Sequence, residues 1–265
     1  MKVGIVQPDV VVGDILHNTS QIVKHIAEAA ADDCDVVVFP EMSDVGYDMT
    51  EVEKCAAARS DGATVRIAEA AKTHSIAVIC GIAEREDGKL FNTVAVFDSQ
   101  GNPLADYRKV HLITAEPICE QNYVTAGQSL CLFDLAGFRC GIITCYDVRF
   151  PEMARALAAR GAEVLFVPAA FPESRIHHWN ILTECRAIEN QIYVAACNRT
   201  GTDAGIRFGG SSRIISPAGD IEASLDTDSQ GMITGRLSHE AVRQVRDGLQ
   251  VWRDRRTDLY NTWNA

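Results

Sequence analysis

The chain has 265 residues, 47% of them hydrophobic and 23% charged, and a formal net charge of −11. That length and composition suit one large α/β domain, residues 1–265, and the acidic balance argues against a nucleic-acid or acidic-membrane partner. No apolar run reaches membrane-spanning length, the opening MKVGIVQPDV enters a strand and not a signal peptide, and no Ser/Gly-rich linker divides the chain.

VGIVQ (3–7) reads as the first strand, followed by a helix over roughly 18–31 and the strand DVVVFPE (35–41), which ends in polar residues. A helix near 62–74 leads into the strand IAVICGIA (76–83), and Asp87–Gly88 marks a hairpin into LFNTVAVFD. LADYRKVHL (104–112) is a further strand, and an irregular loop spans Ile113 to about Gln128. LCLFDL and FRCGIIT pair through Ala136–Gly137, and beyond Cys145 a helix starts near Pro151 and continues as EMARALAAR. Then come the strand AEVLFVP (162–168), a helix over about 175–190 and the strand IYVAACN (192–198). Three strands follow over 209–237, with a turn at Pro217–Ala218–Gly219–Asp220. A helix near 239–247 precedes a tail, from about 248, rich in Arg, Trp and Asp. Continuous hydrophobic strands between helices imply sheets covered by helices. Hairpins mixed with helical crossovers predict two mixed sheets packed face to face, an α/β domain built as a four-layer α-β-β-α sandwich.

The nine cysteines are scattered at 34, 55, 80, 119, 131, 140, 145, 185 and 197, odd in number and never spaced C-x-x-C. A reducing cytoplasm is the expected compartment. The adjacent His177 and His178 read as a structural or surface pair, since no metal-binding spacing accompanies them. No metal and no cofactor are expected.

Cys145 is placed where the apolar run GIIT turns toward a helix. A nucleophile at such a corner projects above the sheet, and the nearby helix N-terminus supplies positive potential and free N–H groups. The expectation is a thiol of lowered pKa beside an oxyanion site; on this segment alone a buried core thiol competes with that reading. Two more polar residues stand where apolar strands run out: Glu41 after VVVFP and Lys109 after LADYR. Singly, each fits a surface carboxylate or a solvated cation. Together the three provide a nucleophile, a carboxylate base and a fixed cation for a developing oxyanion, the set that amide cleavage through a thiol requires.

The segments FPE with Glu41, YRKVHL with Lys109 and CYDVRFPE with Cys145 resemble the three signatures of the nitrilase superfamily of carbon–nitrogen hydrolases. Their order and spacing fit that family, and the similarity runs from Lys2 to about Arg236. The resemblance implies the same four-layer sandwich, usually assembled as a homodimer or higher oligomer, with the tail serving dimer contacts. It also implies Glu41 as general base, Lys109 as stabiliser of the tetrahedral intermediate, Cys145 as nucleophile and the Tyr146 backbone N–H as second oxyanion donor. The family often adds a glutamate in the loop after the lysine strand. Glu120 in CEQNYVTAG fits that position, with Glu116 as competitor. Two further segments, Trp179 to Asn190 and GGSSRIISPAGD (209–220), resemble family segments and read as mainly structural.

Nitrile-cleaving members typically carry Trp–Glu directly after the cysteine, whereas this chain has Tyr146–Asp147, which favours an amide. The CYDVRFPE form resembles the small-amide branch, including ω-amidases. Arg149, four residues past Cys145, offers a bidentate partner for a substrate carboxylate, or else pairs with Glu152. The expected partner is therefore a small aliphatic or ω-amide. The alternatives are an N-carbamoyl amino acid amidohydrolase, a nitrilase, a cysteine acyltransferase and a non-catalytic scaffold of the same fold.

Overall fold

The computed structural model describes residues 1–260 together with Thr262 and Trp263. One six-stranded sheet takes Lys2–Gln7 (β1), Val36–Val38 (β2), Ala77–Glu86 (β3), Lys89–Phe97 (β4) and Pro103–Arg108 (β5) in that order, with Gly231–Arg236 (β14) antiparallel on the free edge of β1. The other takes Cys131–Leu135 (β6), Phe138–Ile142 (β7), Val164–Pro168 (β8), Tyr193–Cys197 (β9), Arg213–Ile215 (β12) and Ile221–Ser224 (β13). A small hairpin pairs Thr202–Asp203 (β10) with Ile206–Arg207 (β11). In each sheet the three strands joined through helices run parallel, β1–β2–β3 and β7–β8–β9, and the hairpin-linked strands run antiparallel.

Strand periodicity sorts the side chains into layers. Val3, Ile5, Val36, Val38, Ile79, Val94 and Val96 form one apolar cluster with Phe133, Ile142, Phe166 and Ala195 of the facing sheet. Their neighbours Val6, Val37, Val78, Cys80 and Ala95 point the other way, against Ile22 and Ile26 of Ile15–Ala31 (α1) and Ile67 of Gly62–His74 (α3). Leu157 of Pro151–Ala159 (α4) and Trp179 and Ala187 of Ile176–Asn190 (α5) join the core from the second sheet's side. The layers are thus α1/α3, first sheet, second sheet and α4/α5, as the sequence predicts. Burying each large aliphatic side chain contributes roughly 1.5–3 kcal/mol, so the double interior is the main cohesive term.

The element ends differ from the sequence reading where a single side chain intervenes. α1 begins at Ile15 because Asp14 caps it, accepting the His17 N–H at 3.0 Å. β2 stops at Val38, and Pro40, which has no N–H to donate, follows just past the strand's end. Met49–Cys55 (α2), capped by Asp48, and the β10–β11 hairpin are too short to leave a periodic signal. Beyond His239–Gly248 (α6), the tail folds into Val251–Asp254 (α7) and Thr257–Tyr260 (α8). Trp252 lies against the guanidinium groups of Arg155 and Arg255, each 5.1 Å from its ring, and donates to Asn190 O at 3.3 Å, which fixes the tail's start on the α4/α5 layer. Among the described residues, no helix is long and apolar enough to cross a membrane.

Candidate active site

Each of the three strand-end residues is fixed by a local backbone device. Past β2 the chain folds sharply over β3, and Gly81 makes this possible: a Cβ there would sit 2.3 Å from Pro40 O and 2.6 Å from Glu41 Cα. Gly81 N and O instead bond Pro40 O and Ser43 N at 3.1 and 2.8 Å, holding the Glu41 backbone against the sheet. Lys109 lies one residue past β5, its N–H on Asn92 O at 2.9 Å and its carbonyl accepting Gly127 N at 2.8 Å. Cys145 leaves β7 with φ +46°, the left-handed region that a residue with a side chain rarely adopts. Strain of this kind costs roughly 1–3 kcal/mol and persists only where the surroundings enforce it. A 3₁₀ turn, Cys145–Arg149, follows, and Pro151 takes the first position of α4.

These ends converge. Lys109 Nζ lies 2.8 Å from Glu41 Oε1 and 2.9 Å from each carboxylate oxygen of Glu120, with all three side chains fully buried. Asn92 Nδ2, on β4, donates to Glu41 Oε1 at 2.6 Å and to Glu120 Oε1 at 3.3 Å. The Ala170 N–H donates to Glu41 Oε2 at 2.8 Å, and its carbonyl takes the Cys145 thiol at 3.7 Å, so one residue touches both Glu41 and Cys145. Ile113 N donates to Glu120 Oε2 at 2.7 Å. Tyr47, in the loop after Glu41, stacks its ring 5.8 Å from Lys109 Nζ. A cavity of 140 Å³ opens on its flank, lined also by Pro117, Tyr123 and Ile206. Larger clefts of 370 and 390 Å³ flank β5 but contain no member of the charged cluster.

The charges settle unevenly. Burial opposes the Lys109 ammonium, but the negative charges of Glu120 and Glu41 outweigh it and hold its pKa well above the ordinary lysine value. Cys145 departs from the sequence expectation. Its thiol is pushed well up, by burial first and then by the Glu41 charge, with Lys109 only partly offsetting both. The lowered pKa expected from a helix N-terminus fails because Cys145 is only 1% exposed and the α-helix proper starts six residues later, at Pro151. A thiol shifted in that direction holds its proton more tightly, which favours chemistry with a proton acceptor beside it.

Of the loop glutamates, Glu120 enters the cluster and Glu116 is exposed. Tyr146 is partly exposed, its ring edge-on to Phe150 at 5.4 Å. Arg149 does not pair with Glu152. Its Nη1 donates to His178 Nδ1 at 3.3 Å, and its guanidinium lies 5.3 Å from the ring of Phe171, the residue after Ala170. Burial and the charges of His177, Arg149 and Arg175 lower the His178 pKa, which favours the neutral ring that can accept from Arg149. The two segments read as structural meet directly: Trp179 Nε1 donates to Ser211 O at 3.0 Å. The sequence reading missed Asn92 and Ala170. A lone amide inside the apolar strand LFNTVAVF was a usable signal for Asn92, whereas a backbone N–H leaves none.

Comparison with known proteins points to one family. Residues 2–247 match the family model described as carbon-nitrogen hydrolase. A 2-oxoglutaramate amidase of Bacillus subtilis is 36% identical, over 85% of this chain and 86% of that one. An omega-amidase of Homo sapiens is 33% identical, over 92% of this chain and 91% of its own. Among solved structures, a cysteine-to-alanine mutant of a Nesterenkonia AN1 amidase from the nitrilase superfamily superposes with a TM-score of 0.87 at 29% identity, over 99% of this chain and 97% of that one.

Proposed function

The chain belongs to the carbon–nitrogen hydrolase family, and from that footing we propose that it is a thiol amidase of short aliphatic and ω-amides. It releases ammonia and a carboxylic acid through a thioester on Cys145. The observation carrying this reading is the buried Glu41–Lys109–Glu120 ion cluster, linked through Ala170 to a thiol on a strained backbone. Burying three charges is costly unless they are paired, and a cluster of this kind beside a nucleophile is a hallmark of chemistry more than of stability.

Glu41 takes the thiol proton as Cys145 Sγ attacks the amide carbon. Lys109 and the Tyr146 backbone N–H stabilise the oxyanion. Glu41 then passes the proton to the leaving nitrogen, and the C–N bond breaks to give ammonia and the thioester. Water, deprotonated by the same carboxylate, attacks the thioester; the thiol is restored and the acid departs, balancing amide plus water against acid plus ammonia. Glu120 holds Lys109 and keeps it charged. Arg149, on the turn that carries the nucleophile, binds a carboxylate at the far end of an ω-amide substrate.

We also propose a homodimer in a reducing cytoplasm. The nine cysteines are free, and α5 leaves Ile181 and Ile188 59% and 52% exposed, an apolar face that a second copy and the tail would cover. The function is tested by ammonia release from a panel of short amides, with intact-mass detection of an acyl adduct. Wild type should turn over and carry one adduct at Cys145, and Cys145→Ala should do neither. Turnover surviving in Cys145→Ala overturns the reading.

A further inference from the structure

We propose that Asp147 is a positioning residue that locks the nucleophile's turn to the segment bearing Lys109. This rests on the roles proposed above for Cys145 and Lys109. Asp147 is fully buried, two residues past the nucleophile. Its Oδ2 accepts from Thr144 N at 2.9 Å and from the Tyr107 hydroxyl at 2.6 Å. Its Oδ1 accepts from His111 N at 2.9 Å and takes His111 Nδ1 at 2.8 Å. Only the Thr144 contact is local. The other three come from Tyr107 and His111, which flank Lys109 two residues to either side.

Capping the turn after Cys145 needs one acceptor, and the carboxylate spends its remaining capacity on the lysine segment. Burial and the neighbouring Asp147 charge keep Tyr107 un-ionised, so its hydroxyl is a donor. The His111 ring stacks on Phe150 at 3.6 Å, and Phe150 precedes α4, which adds an apolar face to the same junction. Lys109 is thereby held from two sides. The backbone bonds to Asn92 and Gly127 fix it to its own sheet and to the loop that follows, and Asp147 fixes its neighbours to the facing sheet's turn. The distance between ammonium and thiol is set across the two sheets by one carboxylate. A single acidic residue can do this because only an ionised carboxylate offers acceptors to four donors at once.

The test measures kcat and KM for an amide that the wild type hydrolyses, with kcat expressed per site titrated by iodoacetamide at Cys145, so that loss of folded protein does not count. Asp147→Asn should lower that kcat about 10- to 100-fold, with KM within about twofold, as expected for a misplacement of the order of 1 Å. His111→Asn and His111→Leu both lose the stack on Phe150, but only Asn keeps a side-chain N–H facing Asp147. His111→Asn should stay within about threefold of wild type, while His111→Leu falls about tenfold. Equal loss in the two His111 variants overturns the proposal, as does an Asp147→Asn kcat within twofold of wild type. If Asp147→Asn does not fold, the His111 pair decides. A wild type that hydrolyses no amide and is not alkylated at Cys145 removes the proposed function itself, an outcome distinct from an active wild type with indifferent variants.

Discussion

Lys109 Nζ stands 2.9 Å from both carboxylate oxygens of Glu120, nearly as close as its 2.8 Å approach to Glu41. In the proposed mechanism a second carboxylate this near would keep the lysine charged and aimed when Glu41 takes up the thiol proton and loses its own charge. Glu120→Gln should therefore lower kcat by roughly 10²-fold, the scale for a displaced oxyanion donor. Glu116→Gln, in the same loop but exposed, should remain within about twofold. Steady-state kinetics on one amide compares the two, and similar losses in both would remove the distinction drawn between them.

Glu41 and Lys109 share a hydrogen bond, so the roles proposed for them should be coupled. Loss of an oxyanion donor costs about 10²–10³ in turnover and loss of a general base about 10²–10⁴. Because the residues act as a unit, the double substitution Glu41→Gln plus Lys109→Met should cost far less than the product of the single losses. A double-mutant cycle in kcat/KM measures this, and fully multiplicative losses would mean independent action.

Arg149 should select substrates with a free carboxylate. Succinamate and butyramide are similar in length and differ mainly at that end. A charge-assisted contact contributes roughly 1.5–3 kcal/mol, or about 10- to 150-fold in kcat/KM. Arg149→Met should erase the preference for succinamate and leave butyramide hydrolysis nearly unchanged. Equal damage to both, or a wild type that prefers butyramide, would assign Arg149 to packing against Phe171 and Tyr146.

Asp44 should make stability fall with rising pH. Its carboxyl is buried under the loop after Glu41 and accepts the Ala83 N–H at 3.0 Å, and burial raises its pKa to about 7. Unfolded, it titrates near 4. Between those values the folded chain keeps a proton that the unfolded chain has lost. The stabilisation is full below about pH 4, is lost as pH rises through about 7, and amounts to about 4 kcal/mol in all. Asp44→Asn, which stays neutral, should show an unfolding free energy that gains on the wild type across that window and holds a constant lead above it. Chemical denaturation at several pH values measures the difference, and a pH-independent difference would contradict the assignment.

Three strand ends could be read from the chain alone, because a strand is a local pattern and the point where its apolar run fails is visible in the residues themselves. Glu41, Lys109 and Cys145 are such points, and the hairpins at Asp87–Gly88 and Ala136–Gly137 are marked by residues that the structure holds at positive φ. From those signals followed the two mixed sheets and the charged set between them. The direction of the Cys145 pKa was decided only by folding, since desolvation depends on the layers that cover a group and not on its neighbours in sequence. The choice of Glu120 over Glu116 was decided the same way, by which side of one loop is buried. Asn92 meets Glu41 across 51 positions, Ala170 meets it across 129, and Asp147 meets His111 across 36. Hydrogen bonds between residues so far apart leave no periodicity in the chain: the first exists only once β2 and β4 have been ordered into one sheet, and the other two only once the two sheets have packed face to face.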